Sequence, residues 1–521
     1  MPAILPSKAL LLWPALLVAV LWPALLAAVL WPALLAAVLW PAVAAAQVPS
    51  APPSQTSRAL ESDARTAAQP LPAATTPLTL EEVLAASRFH APQVLEALAR
   101  VRGAQSRVLT TEGAFDTLFN AAAEAGPTGF YSGSTAGVRV MQPLATNGGS
   151  VYAGYDISRG TFPTYDAQNF TARYGRITAG TLFSLLRDRD IDDRRFNRAM
   201  ASADVVLADN DRLMVAIGVQ ARAIAAWNSW AIAGQRAGVF KDLLQLALDR
   251  QGGFKRQVTE GLRPAILLTE NEQNILRRQT LVVQAEQALE QAAVSLSLFW
   301  RDADGNPQLP GADRLPPRLP SPLPIAEDVI AALENRPDLR LVDVRIAQAR
   351  TRLLLDRNAF LPTLDLKAEV NQFVGDAGVG GRPYTGTESK LGLIFSVPLQ
   401  QRVARGRLGQ TRADIDGFQQ RRRLIEDQIR AEIMGLSIAA RQARRLLGIA
   451  IDEQDRALAM ARAERRRFQE GASDFFLVNI REEAAADAQA RRLDAAFRQI
   501  VAHADLAAAT ADVKALGLIS N

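Results

Sequence analysis

Cysteine is absent from all 521 residues. That excludes disulfides, thiolate metal sites and a cysteine nucleophile, and it removes the N-terminal cysteine a bacterial lipoprotein needs. Histidine occurs only at His90 and His503, in two helix-like stretches far apart. Each reads as a partly solvated helix residue rather than a metal ligand or general base. Lysine stands at six positions, so the +5 net charge is carried by arginine. The arginines are interspersed with carboxylates, whereas a nucleic-acid binder gathers its positive charge on one stripe with aromatics between. The densest run, Arg421-Arg422-Arg423, shares its helix with Glu426 and Asp427 and reads as a solvated face. Scarce histidine and only six methionines argue against a metal-ion exporter. No nucleotide loop, paired-metal motif or nucleophile constellation stands out, so no enzyme activity, cofactor or nucleic-acid partner is expected.

What is present begins with an export signal. Lys8 precedes an uncharged run from Ala9 to Ala46 that ends in Ala44-Ala45-Ala46. A basic start, an apolar core and small residues before a cut site make a secretory signal over 1–46. Its core repeats with a period of nine, at Trp13-Pro14, Trp22-Pro23, Trp31-Pro32 and Trp40-Pro41. A retained membrane helix is the rival reading, and the four prolines, each removing a helix hydrogen bond, count against it. Residues 47–77, rich in Pro, Ala, Ser and Thr, read as a disordered leader.

Beyond the leader the chain repeats its plan. Glu81-Glu82-Val83-Leu84-Ala85-Ala86 is matched by Glu327-Asp328-Val329-Ile330-Ala331-Ala332, and Pro92 by Pro337. Phe183-Ser184 resembles Phe395-Ser396, and Arg256–Gly261 resembles Arg467–Gly471, each ending in Glu-Gly. Two repeats are therefore expected, 78–300 and 325–517, joined by a 301–324 linker whose stretch from Asn306 to Pro324 holds seven prolines.

The longest helical pattern runs from about Val403 to Arg467. Ile415, Phe418, Ile425, Ile429, Leu436, Leu447, Ile451 and Leu458 follow coiled-coil separations of 3, 7, 4, 7, 11, 4 and 7. At 1.5 Å per residue this helix spans about 100 Å, too long for a compact globule. Gly471 breaks it, and a second alanine-rich helix is expected from Phe475 to Ala515, returning beside the first. A matching hairpin in the first repeat has its tip between Gly252 and Pro264.

Strand-like segments point to a membrane. Leu364, Leu366, Ala368 and Val370 alternate with Thr363, Asp365, Lys367, Glu369 and Asn371. The first set suits lipid; Asp365, Lys367, Glu369 and Asn371 suit a water-filled interior. Leu391, Leu393, Phe395, Val397 and Leu399 form a second alternating run, after a glycine-rich Gly375–Gly381 segment that lacks the lysine of a phosphate loop and reads as a hairpin. Ser150–Ser158 and Arg173–Leu185 are weaker candidates. Four strands cannot close a barrel, and open edges in lipid leave backbone groups unsatisfied. Several copies must therefore share one: two would give eight strands, three would give twelve.

Asn335-Arg336-Pro337-Asp338-Leu339, Phe360-Leu361-Pro362-Thr363-Leu364, Ser396-Val397-Pro398-Leu399 and the Glu470-Gly471 turn resemble the TolC-like outer-membrane efflux family, over about Leu78 to Leu516. The resemblance implies an α+β membrane protein, a homotrimer whose antiparallel helical hairpins form a periplasmic α-barrel. A transmembrane β-barrel is shared between the subunits, with four strands from each chain. It implies an outer-membrane channel of a tripartite efflux or type I export system, passing small molecules or proteins outward. Its partners would be outer-membrane lipid, an inner-membrane transporter and a periplasmic adaptor. The adaptor would dock at the tips, Thr259-Glu260-Gly261-Leu262 and Glu470-Gly471-Ala472-Ser473. Asp474 is the aperture candidate, because Phe475-Phe476-Leu477-Val478-Asn479 stands where family members often carry aspartates. The rival readings are a periplasmic coiled-coil scaffold or adaptor without a pore, and an outer-membrane enzyme. A soluble scaffold has no use for the lipid face of the 363–372 strand.

Overall fold

The computed structural model describes residues 76–162, 170–320, 322–323, 329–376 and 386–519. The signal, nearly all of the leader, the Glu327-Asp328 landmark and most of the 375–381 loop fall outside these residues. Helices start where their sequences supply a cap or a proline. Thr79 caps α1 (Leu80–His90), accepting the Glu82 N–H at 3.2 Å. Pro92 opens α2 (Pro92–Glu112) and Pro337 opens α6 (Pro337–Asn358), where the missing N–H costs nothing. Asp192 caps α3 (Asp193–Thr259) and Asp474 caps α8 (Phe475–Ala509). The remaining helices are α4 (Ile266–Ser297), the short α5 (Val329–Asn335) and α7 (Arg402–Gln469). With 67 and 68 residues, α3 and α7 each run about 100 Å. The 35-residue α8 ends at Ala509, short of the expected Ala515, in a turn through Ala511 at φ +52°.

Around these two axes the shorter helices pair end to end. Helices α2 and α4 pack on α3, α6 and α8 pack on α7, and α3 joins the two sets through α6 and α8. The expected α7 stripe holds only in part. Its Ile429 is fully buried, as is Ile433 outside it, but toward the tip the buried apolar positions are Ala440, Ala443, Ala450 and Ala461, and Ile451 is 40 % exposed. Alanine at the contact with α8 lets the two backbones approach closely, Ala440 packing with Leu506 and Ala509, and bulky residues such as Ile438 and Ile449 turn outward. Among the described residues no helix is long and apolar enough to cross a membrane.

The sheet corrects the expected strand number: six antiparallel strands, not four, lie in simple chain order. They are β1 (Leu118–Ala125), β2 (Gly133–Pro143), β3 (Ser150–Gly160), β4 (Arg176–Ser184), β5 (Thr363–Phe373) and β6 (Gly386–Ser396). The four segments read from sequence are β3 to β6; Val397 and Leu399 lie past the end of β6. The sequence does not show the first hairpin because Ala121-Ala122-Ala123 has the composition of a helix and β2 opens on Gly133 and is interrupted by Gly137.

The main core sits midway along the helices. Trp227, Trp230, Leu296, Trp300, Ile500 and Leu516 form it, and the Trp227 indole N–H donates to the Leu78 carbonyl at 3.2 Å. The proline-rich linker is not a free spacer. Leu315, Leu319 and Leu323 pack on this core, and Arg314 reaches Glu82 at 3.0 Å. His503 is not solvated either: it is 2 % exposed, with Nδ1 2.6 Å from the Leu323 carbonyl. A ring beside apolar helices satisfies one nitrogen on the linker and keeps out of water.

Candidate functional site

Strand registers sort every side chain of the sheet onto one of two faces. Asp365, Lys367, Glu369 and Asn371 of β5 share a face with Thr178 and Arg176 of β4, Tyr152 and Asp156 of β3, and Arg139 of β2. Asn120 and Glu124 of β1 and Glu388 and Lys390 of β6 complete it. These groups bond to one another across strands: Tyr152 donates to Glu369 at 2.7 Å, Thr178 to Asn371 at 2.7 Å and Ser184 to Asp365 at 2.9 Å. Lys367 lies 3.0 Å from Glu369, and Arg176 lies 3.1 Å from Asp156. Tyr152 spans β4 to reach Glu369 because β4 carries Gly180 there; a Cβ at Gly180 would stand 2.5 Å from the tyrosine Cζ. Of the large apolar residues on this face, Leu118, Met141, Leu182 and Ile394 lie toward the helices, and the buried Phe373 lies at the opposite end beside Arg176.

The opposite face carries Phe119, Val138, Val140, Val151, Ile177, Leu366, Val370, Leu391, Leu393 and Phe395. Phe119, Leu391, Leu393 and Phe395 are each at least 64 % exposed. A solvated antiparallel sheet would invert this, turning its polar side to water. One face is polar and bonded across its strands, and the other is apolar and exposed.

At the far end of the helices the two hairpin tips share one geometry. Gly261 sits at φ +67° and Gly471 at φ +77°, the left-handed region that glycine enters without a Cβ penalty. Gly261 N–H donates to Val258 and Leu262 N–H to Gln257; Gly471 N–H donates to Phe468 and Ala472 N–H to Arg467. Both are Schellman closures, set by the two Glu-Gly pairs. Thr259 ends α3, Glu260 caps it, and Leu262 is 70 % exposed. Glu470 caps α7, Ser473 donates to Glu464, and Asp474 accepts the Leu477 N–H at 2.7 Å. Asp474 is thus exposed at the tip and already holds a structural bond.

Behind the tips the two hairpins are tied by an aromatic cluster and a buried ion-pair cluster that the sequence alone does not bring together. Phe254 and Phe475 meet edge to face at 4.9 Å, with Phe468 alongside. Next to them Glu482, fully buried on α8, receives three arginines. Arg250 of α3 is 2.6 Å away, Arg278 of α4 is 3.1 Å away and Arg465 of α7 is 3.2 Å away. Asn479 accepts from Arg250 at 3.1 Å. Burial pulls the Arg278 guanidinium below its ordinary value, while the Glu482 carboxylate opposes the shift. Four helices meet at one carboxylate.

No family model matches the sequence, and no curated protein does. Solved structures do. The open-state MtrE outer membrane channel of Neisseria gonorrhoeae aligns with TM-score 0.58 at 15% identity, covering 83% of this chain and 88% of that one. The VceC outer membrane protein of Vibrio cholerae gives 0.56 at 14%, covering 84% and 96%. The CmeC outer membrane channel of Campylobacter jejuni gives 0.57 at 12%, covering 83% and 85%. The chain has the TolC-like channel fold. At such identities the likeness rests on geometry: long paired helices with a sheet at one end and two glycine-closed tips at the other. The TolC-like arrangement brings Asp365, Lys367, Glu369 and Asn371 together on the sheet. It leaves the tip residues about 100 Å away, the length of α3 and α7.

Proposed function

We propose that this protein is the outer-membrane channel of a tripartite efflux or export system. The observation that carries the reading is the division of the sheet into a hydrogen-bonded polar face and an exposed apolar face. In that role the apolar face meets lipid and the polar face lines the duct, with Asp365, Lys367, Glu369 and Asn371 in the lumen. Three copies close the wall, and their helices extend it through the periplasm. The tips Thr259–Leu262 and Glu470–Ser473 then receive a periplasmic adaptor that couples the duct to an inner-membrane transporter, and Asp474 faces the aperture. The channel does no chemistry; the transporter supplies the energy, and the cargo is small molecules or proteins. Residues 1–46 act as the export signal, and 78–300 and 325–517 are read as two repeats about the 301–324 linker. A coiled-coil scaffold accounts for the helices but not for the apolar sheet face. The test is the native mass of the protein extracted in detergent from purified outer membranes. A trimer is expected there, whereas a monomer in the soluble periplasm would overturn the channel reading.

A further inference from the structure

We infer that the wall of the duct is an eighteen-stranded barrel, closed by the β6 edge of each copy on the β1 edge of the next. The inference rests on the trimeric channel proposed above and adds the strand count and the joining edges.

Three observations on the sheet point the same way. The extra hairpin β1–β2 is a full wall element: β2 pairs with β3 along its whole length, from Gly133 opposite Gly160 to Pro143 opposite Ser150. It also keeps the division of faces. Phe119, Val138 and Val140 continue the apolar face; Glu124 and Arg139 continue the polar one, with the Arg139 guanidinium 5.6 Å from the Tyr152 ring centre. Finally, six antiparallel strands in chain order give β1 and β6 opposite directions, so a β6 edge meets a neighbouring β1 edge antiparallel. Both edges carry exposed side chains along their length, and in an apolar medium their free N–H and C=O groups need partners.

The helices turn the same way around. Packing places them in the order α4, α3, α8, α7, so α4 flanks the first half of the chain, as β1 does, and α7 flanks the second, as β6 does. Each flank carries an exposed apolar row: Leu276, Val283 and Val294 on α4, and Ile438, Ile449 and Met460 on α7. Counted from the tip glycines, the rows stand 15, 22 and 33 residues along α4 and 33, 22 and 11 residues back along α7. They therefore lie at matching heights. A second copy of this chain, set beside the first, covers the row on α7 with the row on α4 in the same step that joins β6 to β1.

The perimeters agree as well. Twelve long helices packed at 8–10 Å need roughly 95–120 Å of circumference. Eighteen strands about 4.8 Å apart and tilted about 40° give roughly 110 Å, and twelve give roughly 75 Å. The extra hairpin lets the strand wall meet the helical wall without a constriction. Since diameter grows roughly linearly with strand number, the mouth is about 1.5-fold wider than a twelve-stranded one.

The cysteine-free chain makes the test direct. In one copy β1 and β6 are five strand spacings apart and β3 and β6 are three, about 24 Å and 14 Å. Neither distance allows a disulfide, so any bridge joins two copies. Full-length protein in outer membranes would carry Ala121→Cys or Ala123→Cys on β1 with Leu391→Cys or Leu393→Cys on β6. A parallel set would carry Ala153→Cys on β3 with the same β6 partners. Mild oxidation of the β1 set is expected to give a covalent trimer on a denaturing gel, and the β3 set none. Bridges in the β3 set alone would overturn the inference while keeping the trimer, with the hairpin off the wall. A trimeric native mass with no bridge in either set would overturn the joining edges. A monomeric native mass would overturn the channel reading itself.

Discussion

Arg278 of α4 and Glu482 of α8 face each other 3.1 Å apart with their side chains 1% and 0% exposed, an ion pair removed from water at the junction of both hairpins. With Arg250 and Arg465 on the same carboxylate, the cluster has more positive than negative charge. Removing Glu482 leaves buried guanidinium groups uncompensated, which typically costs about 3–5 kcal/mol. Glu482→Ala should therefore unfold or open the tip end first, read as faster protease cleavage near Gly261 and Gly471. The double variant Arg278→Met with Glu482→Leu should recover much of the loss. Equal protection in Glu482→Ala and the wild type would show that the cluster does not hold the hairpins together.

Asp192 gives a pH dependence with a defined sign. Burial alone would raise its carboxyl, but the Arg195 N–H at 2.8 Å and the Arg195 and Arg194 guanidinium groups outweigh it and lower it below the ordinary 3.8. A depressed acid contributes stability that is fully present above its unfolded value and is lost as pH falls through its folded value. Thermal unfolding should therefore drop below about pH 4, and Asp192→Asn, which keeps the capping acceptor but not the charge, should flatten part of that drop. Identical acid profiles for the two proteins would remove Asp192 from the account.

The Tyr152–Glu369 bond depends on Gly180. Gly180→Val should push the tyrosine off its path, and Tyr152→Phe removes the donor outright. Losing this bond should cost about 1 kcal/mol, seen as a lower melting temperature of the assembled channel in detergent. Gly392, on the same face of β6 with open space around its Cβ position, is the control. Gly392→Val should melt later than Gly180→Val, and the reverse order would contradict the crossing.

Glycine effects should change sign between tip and shaft. Gly261→Ala and Gly471→Ala place a Cβ at positive φ and should each cost about 1 kcal/mol. Gly252→Ala lies inside α3 with nothing within 4 Å and should stabilise by roughly 0.5–1 kcal/mol. Melting curves of the three variants decide this. Destabilisation by Gly252→Ala would mean that position needs its freedom.

These contrasts mark what could be read in the sequence. The tips were legible because Glu-Gly after a long uninterrupted helical pattern has one cheap solution, a left-handed closure. Strand β5 was legible because its alternation is strict over Thr363–Asn371, and Asp365 to Asn371 do share a face. Strand β1 was not, since Ala121 to Ala123 favours no period and its hairpin partner β2 opens on Gly133 and carries Gly137. The α7 stripe failed toward the tip because alanine is ambiguous between a solvated helix and a close helix contact. The Glu482 cluster left no local signal: Arg250, Arg278 and Arg465 are three of many arginines, and only packing of α3, α4, α7 and α8 selects them.

Asp474 separates two roles that one substitution would confuse. Its carboxylate caps α8 through the Leu477 N–H and also places a negative charge at the exposed second tip. Alanine removes both, and the lost cap costs about 1 kcal/mol. Asparagine keeps an acceptor and loses only the charge, with a smaller charge–dipole cost of roughly 0.3–1 kcal/mol. If the charge serves the aperture, Asp474→Asn and Asp474→Ala should weaken divalent-cation block of the closed channel equally, while the alanine variant alone loses the cap and melts lower. Block unchanged in Asp474→Asn would leave capping as the whole role of Asp474 and move the search for the aperture acid to other residues of the tip.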